Sequence, residues 1–207
     1  MKPNKFYAGH YTSPEFNDKI NTGKGVIITC GSCEQHGHHL PLDTDNIIGT
    51  ELALRIAEKT DLLLMPPVNY GQVWSAKGFP GTISLTPDTL KRLLREIICS
   101  LEAQNTSNIV LMSGHNGNYS ILKELAKTPS ATAPHAGEAE TSMLLYLRPE
   151  LVQLSRATRE FPQPPADYPY RPIHWNEFVE TGSFGDGSAA DPEYGKLLVE
   201  YAVNTTA

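Results

Sequence analysis

Gly25-Val26-Ile27-Ile28-Thr29 leads through Cys30-Gly-Ser-Cys33 into Glu34-Gln35-His36-Gly37-His38-His39-Leu40-Pro41-Leu42-Asp43-Thr44-Asp45. Thr50 to Thr60 then follows, with Leu52, Leu54, Ile56 and Ala57 at positions that suit a helix. A short β-branched apolar run, a polar glycine-bearing loop and a helical segment read as strand, loop, helix. The unit recurs at Asn108-Ile109-Val110-Leu111-Met112, which passes into Ser113-Gly114-His115-Asn116-Gly117-Asn118 and a short helix from Tyr119 to Lys127. Between them, Leu62-Leu63-Leu64-Met65 is a further strand closed by Pro66-Pro67. Thr86-Pro87-Asp88 then supplies an N-cap, a first-turn proline and a first-turn acid for a helix with Leu90, Leu93, Leu94, Ile97, Ile98 and Leu101 on one face. Pro192 to Val203 reads as a last helix. Strands alternating with helices predict right-handed parallel crossovers, hence an α/β fold: a three-layer α/β/α sandwich around a mainly parallel sheet, in one domain over residues 1–207. Ligands of such sheets gather beyond the carboxyl ends of the strands, where both polar loops fall.

The chain has 207 residues, 40% of them hydrophobic, enough for one sizeable core. Lys and Arg number 17 against 23 Asp and Glu, for a net charge of -6, and no basic cluster occurs, which argues against nucleic acid as a partner. No apolar run reaches the roughly 18 to 20 residues of a membrane span. The polar start Met1-Lys-Pro-Asn-Lys-Phe6 lacks the apolar core of a secretion signal, so a cytoplasmic protein with no membrane partner is expected. Cys30, Cys33 and Cys99 are too few and too scattered for a disulfide framework. The Cys30-Gly-Ser-Cys33 pair could serve zinc or thiol exchange, but Cys30 ends an apolar run and no second pair completes a four-sulfur site, so packing is the expected role.

The first polar loop places hard oxygen and borderline nitrogen donors close together, the donor set of a divalent transition metal. A third cluster, Pro134-His135-Ala136-Gly137-Glu138-Ala139-Glu140-Thr141-Ser142, precedes the apolar Met143 to Leu147, and its His135 and Glu140 could meet in space. The proline- and aromatic-rich stretch from Phe161 to Tyr170 has no period and reads as coil. His10 and His174 read as surface or satisfied core residues, and His38 and His39 as supports for ligands or as loop lining.

Four strings in this order, GSCEQHGHHLPLDTD, FPGTISL, SGHNGN and HAGEAETS, echoed by GSFGDGSAADPEYGK near the end, resemble the creatininase family of creatinine amidohydrolase-like enzymes. The resemblance implies the sandwich fold above, two divalent metal ions (Zn, Mn or Fe) and a homo-oligomer, a hexamer in many members. It also implies hydrolysis of the C–N bond of a small amide, cyclic like creatinine or formyl-type, by a shared metal-activated water. By position it implies that Glu34, His36, Asp45 and His115 bind metal, with Asp45 bridging. Asp43 is the alternative to Asp45. Members whose third motif reads GHYEN use a glutamate two residues past the histidine; here that position is Gly117, which leaves Glu140 to complete the set and Glu138 as the second choice. His135 matches the family histidine that passes a proton to the leaving nitrogen, a task suited to imidazole. Relatives usually carry a further strand and covering aromatics between Asn118 and His135, where this chain has the small-residue run Thr128 to Pro134. A metal-binding but catalytically idle scaffold of the same fold is the competing expectation. Tyr70, Trp74 and Phe79 are expected to wall a pocket or belong to the core, without a substrate role.

Overall fold

A computed structural model describes residues 4–106, 108–126, 135–162, 165 and 174–206. Its elements are α1 (Ser13–Asn21), β1 (Val26–Cys30), α2 (Thr44–Thr60), β2 (Leu63–Leu64), α3 (Pro87–Glu102), β3 (Ile109–Ser113), α4 (Tyr119–Ala126), α5 (Glu138–Leu147), β4 (Arg159–Glu160), β5 (Gly185–Asp186) and α6 (Pro192–Thr206). The main sheet runs β2-β1-β3, all parallel, with Val26 opposite both Leu63 and Ile109 and Cys30 opposite Ser113.

β1 is buried along its whole length. Its alternating side chains therefore feed two cores. Val26, Ile28 and Cys30 face Ile20, Leu90, Leu94, Leu101, Ile121 and Leu122 from α1, α3 and α4. Ile27 faces Leu52, Ile56, Leu144, Val199 and Val203 from α2, α5 and α6. Helices thus cover both faces, which is the expected three-layer α/β/α arrangement. β4 and β5 form a separate antiparallel pair. No described helix is long and apolar enough to cross a membrane.

Local signals decide most of the elements. Thr86 caps α3 as expected, its hydroxyl accepting from the Thr89 amide at 3.2 Å, with Pro87 at the first helical position. α2 departs from expectation, starting at Thr44 rather than Thr50. Its first residues, Thr44-Asp45-Asn46, are polar and Gly49 follows, so the start shows no apolar period although these residues are buried. The earlier start puts Asp45 in the first turn. The run Thr128 to Pro134 lies outside the described residues, as do Lys127 and most of Phe161 to Tyr170.

Leu94 is fully buried on α3 while its neighbour Leu93 is 39% exposed. Leu94→Ala is expected to lower unfolding free energy by about 2–5 kcal/mol, and Leu93→Ala by less than about 1 kcal/mol, as read from urea denaturation midpoints.

Candidate metal centre

Parallel pairing that ends at Cys30 and Ser113 releases two loops at one edge of the sheet. The first carries Glu34 and His36, the second His115, and the first turn of α2 adds Asp45. Several backbone contacts hold the loops. The Ile83 amide donates to Cys33 O (2.9 Å) and the Gln35 amide to Thr82 Oγ1 (3.0 Å), which gives the FPGTISL segment a bracing role. Asn118, fully buried, donates to Gly31 O (2.8 Å) and accepts from the Gln72 amide (2.9 Å), tying three loops together.

Glu34, His36 and Asp45 are at most 2% exposed. The two oxygens of Asp45 have different neighbours: Oδ1 lies 3.0 Å from His36 Nε2, and Oδ2 lies 2.9 Å from His115 Nδ1. The same His115 Nδ1 is 2.7 Å from Glu34 Oε1. Ser32 Oγ donates to Asp45 Oδ2 at 2.7 Å and lies 3.1 Å from Glu34 Oε1. Donor atoms of Glu34, Asp45 and His115 form one group within 4.8 Å of one another; those of His36, Asp45 and Glu140 form a second, and those of Glu34, His36 and His135 a third. The first two groups share Asp45.

The rings are oriented from behind. His36 Nδ1 lies 3.2 Å from Glu34 O, and His115 Nε2 lies 3.1 Å from Gln72 O. A remote ring nitrogen held by a carbonyl is how a metal-ligating histidine is fixed in tautomer and direction. Gly117 permits this at His115, because a Cβ there would lie 2.4 Å from His115 Nε2 and 2.5 Å from Gln72 O.

Electrostatics follow from enclosure. Burial disfavours an imidazolium at His36, yet Asp45 outweighs it and lifts the ring to about 10. Burial likewise opposes charge on His115, and the hydrogen bonds its ring donates to Asp45 and Glu34 hold it well above the usual histidine range. Burial pushes the Asp45 carboxyl up, and the two histidines override that, keeping it well below the usual carboxylate range. Burial raises Glu140, partly offset by His135 and His36. The carboxylate charge that favours protonated rings here is the charge divalent cations would neutralise with the rings deprotonated, so the donor set fits such ions.

His135 and Glu140 reach the site from the turn before α5 and from its first turn. His135 pairs with Phe184 across a backbone bridge, and its Nε2 lies 3.0 Å from Gln35 O. Its ring is 4.4 Å from that of His36. Glu140 Oε2 accepts from the Ala136 amide, in a turn where Ala136 takes the left-handed φ of 50°. Glu138 is exposed, in a separate groove with Phe161 and Tyr194. Asp43 is exposed and accepts from Asn46 Nδ2 at 2.8 Å, next to its own helix start. His38 is exposed, and His10 accepts from the Asn4 amide.

A cavity of about 320 Å³ opens onto His115, His135 and Glu140. Its wall includes Trp74, Trp175 and Phe184. Trp175 packs at a tilt with ring centroids 5.2 Å from His135 and 4.7 Å from Phe184, and His174 Nδ1 lies 2.8 Å from Trp74 O, joining the two tryptophan segments. Trp74 stands on the wall, one of the two places expected for it, and Phe184 lies in the GSFGDGSAADPEYGK string; Trp175 carries no sequence signal beyond an aromatic after a proline-rich stretch.

A family model described as creatinine amidohydrolase (Creatininase) matches residues 9–207. The chain belongs to the creatininase family. It is therefore a hydrolase of carbon–nitrogen bonds, of the amidohydrolase type. It is 27% identical to a creatinine amidohydrolase of Pseudomonas putida over 245 aligned positions, covering 97% of this chain and 94% of that protein. It is 33% identical over 218 positions to a mycofactocin precursor peptide peptidase of Mycobacterium tuberculosis, covering 92% and 86%. A solved mutant creatininase of Zn-Zn type superposes with a TM-score of 0.85 at 26% identity, covering 99% of this chain and 96% of that one.

The thiols stand apart from this chemistry. Burial pushes Cys30 up to about 12, and burial followed by Asp43 and Glu34 raises Cys33, so neither is a ready thiolate. Iodoacetamide at neutral pH is expected to label the exposed Cys99 and leave hydrolase activity intact; loss of activity on labelling Cys33 would restore a thiol mechanism.

Proposed function

We propose that this creatininase-family member is a dinuclear metal-dependent amidohydrolase acting on a small cyclic or formyl-type amide, of which creatinine is one. The observation that carries the reading is Asp45, whose two oxygens face two different donor groups. Glu34, Asp45 and His115 would hold one ion; His36, Asp45 and Glu140 would hold the other. When bound, such a pair polarises an amide carbonyl and lowers the pKa of water.

The chain's own residues do the rest. The cavity's volume lies at the low end for small-molecule sites, and its aromatic wall suits a flat, compact amide rather than a long chain. Packing between Trp175 and His36 keeps the His135 ring at the cavity wall beside the donors. There it hands a proton to the departing nitrogen, without which an amide anion is a poor leaving group. That His135 and Glu140 both stand with the donor groups favours an enzyme over an idle scaffold. Homo-oligomer assembly, with a hexamer as the family's form, belongs to the same reading.

Elemental analysis of purified protein, with an amide panel screened for released amine, tests it. Asp45→Ala or His115→Ala is expected to lose metal and activity together. His135→Ala is expected to keep metal and lose rate by about 10²–10⁴-fold. Turnover persisting in metal-free Asp45→Ala protein would exclude the mechanism. Chelation is also expected to lower the melting temperature, because ligands that bind only the native state stabilise it.

A further inference from the structure

His39 belongs to none of the donor groups, yet it is buried to 1% exposure. It leaves the same tight turn as His36: Gly37 takes a φ of 66° and the backbones of His36 and His38 bridge. His36 points to Asp45, while His39 Nε2 reaches Thr141 Oγ1 at 3.1 Å across 102 residues of sequence. Thr141 is fully buried and directly follows Glu140 on α5. Two glycines close on the ring, since a Cβ on Gly187 would lie 2.6 Å from Nε2 and one on Gly37 3.0 Å from Nδ1. The Gln153 amide fixes the His39 backbone, donating to its carbonyl at 2.9 Å.

This is a costly way to fill space. His39 Nδ1 is buried with no hydrogen-bond partner among the described residues. A buried polar atom left unpaired lowers stability, and an apolar side chain of similar size would avoid the loss. Burial also drives the ring's pKa down to about 4, with His36 and His38 adding to the shift, so it is neutral at physiological pH. Packing alone does not account for a histidine here. Glu140's own tether, to the Ala136 amide, lies within its turn and cannot set the distance from α5 to the first loop.

We propose that His39 is a positioning residue: through Thr141 it fixes the separation between the Glu34–His36 loop and the first turn of α5, so that Glu140 meets His36 and Asp45. This rests on the reading of Glu140 as a ligand of the second ion.

The test uses the full chain, stripped with chelator and titrated with Zn²⁺ by calorimetry, alongside thermal melts of the metal-free protein. Wild type is expected to bind two ions. His39→Leu and Thr141→Val are expected to keep the first with unchanged affinity and bind the second about 10–100-fold more weakly, the usual consequence of losing a residue that orients a ligand. His39→Gln, whose amide can reach Thr141, is expected to restore the second ion to within a few-fold. The metal-free His39→Leu, Thr141→Val double variant, which replaces both hydrogen-bond partners together, is expected to melt no lower than wild type, a result a merely structural role does not give. Retention of both ions at wild-type affinity in His39→Leu, equal weakening of both, or a lower melting temperature in the metal-free double variant would each overturn the proposal. Wild type binding fewer than two ions would instead overturn the dinuclear reading beneath it.

Discussion

Carboxylates enclosed away from water must be neutralised, and the surroundings of Glu34 and Asp45 are organised by that need. Removing an ion from water costs several kcal/mol even after relaxation, and Ser32 Oγ, His36 and His115 all offer protons to these two carboxylates. The parallel sheet makes the enclosure possible. Because β1 and β3 run the same way and pair up to Cys30 and Ser113, their loops leave at one height, and α2 begins in the space between them. An antiparallel partner would have carried His115 to the opposite edge.

Holding such a site together consumes stability elsewhere. Ala136 sits in a left-handed conformation that an L-residue adopts at a cost of about 1–2 kcal/mol. Buried polar atoms without a partner among the described residues, at His39 Nδ1, Asn46 Oδ1 and Ser183 Oγ, lie close around the same loops. Strain and orphaned polarity of this kind concentrate where geometry is dictated by chemistry rather than by packing. The two hydrophobic cores on either face of β1 supply the rigidity that tolerates them.

The centre and the wall above it are drawn from different parts of the chain. Glu34, His36, Asp45 and His115 issue from strand ends and a helix start, where backbone hydrogen bonds leave little freedom. The wall comes from segments around Trp74, Trp175 and Phe184, which the main sheet does not include. Relatives named for creatinine hydrolysis and for peptide cleavage both match most of this chain and carry names for different substrates. The alignment with the Pseudomonas putida protein spans 245 positions against 207 residues here, so that relative carries insertions this chain lacks.

By itself the sequence determined what is local or repeated. Val26 to Thr29 and Ile109 to Met112 read as strands because both faces of a parallel strand are buried and must be apolar; Thr86 to Leu101 read as a helix because its cap and its apolar spacing agree. The donor types were legible too, since metal chemistry restricts which side chains can serve and the resemblance assigned them positions. Only the tertiary structure decided between Asp45 and Asp43 and between Glu140 and Glu138 as the residue facing the other donors. It also turned Asp45's two oxygens toward different groups, drew Trp175 onto the cavity wall and buried His39 against Thr141. Each of these depends on how loops distant in sequence close on one another, and neither periodicity nor composition encodes that distance.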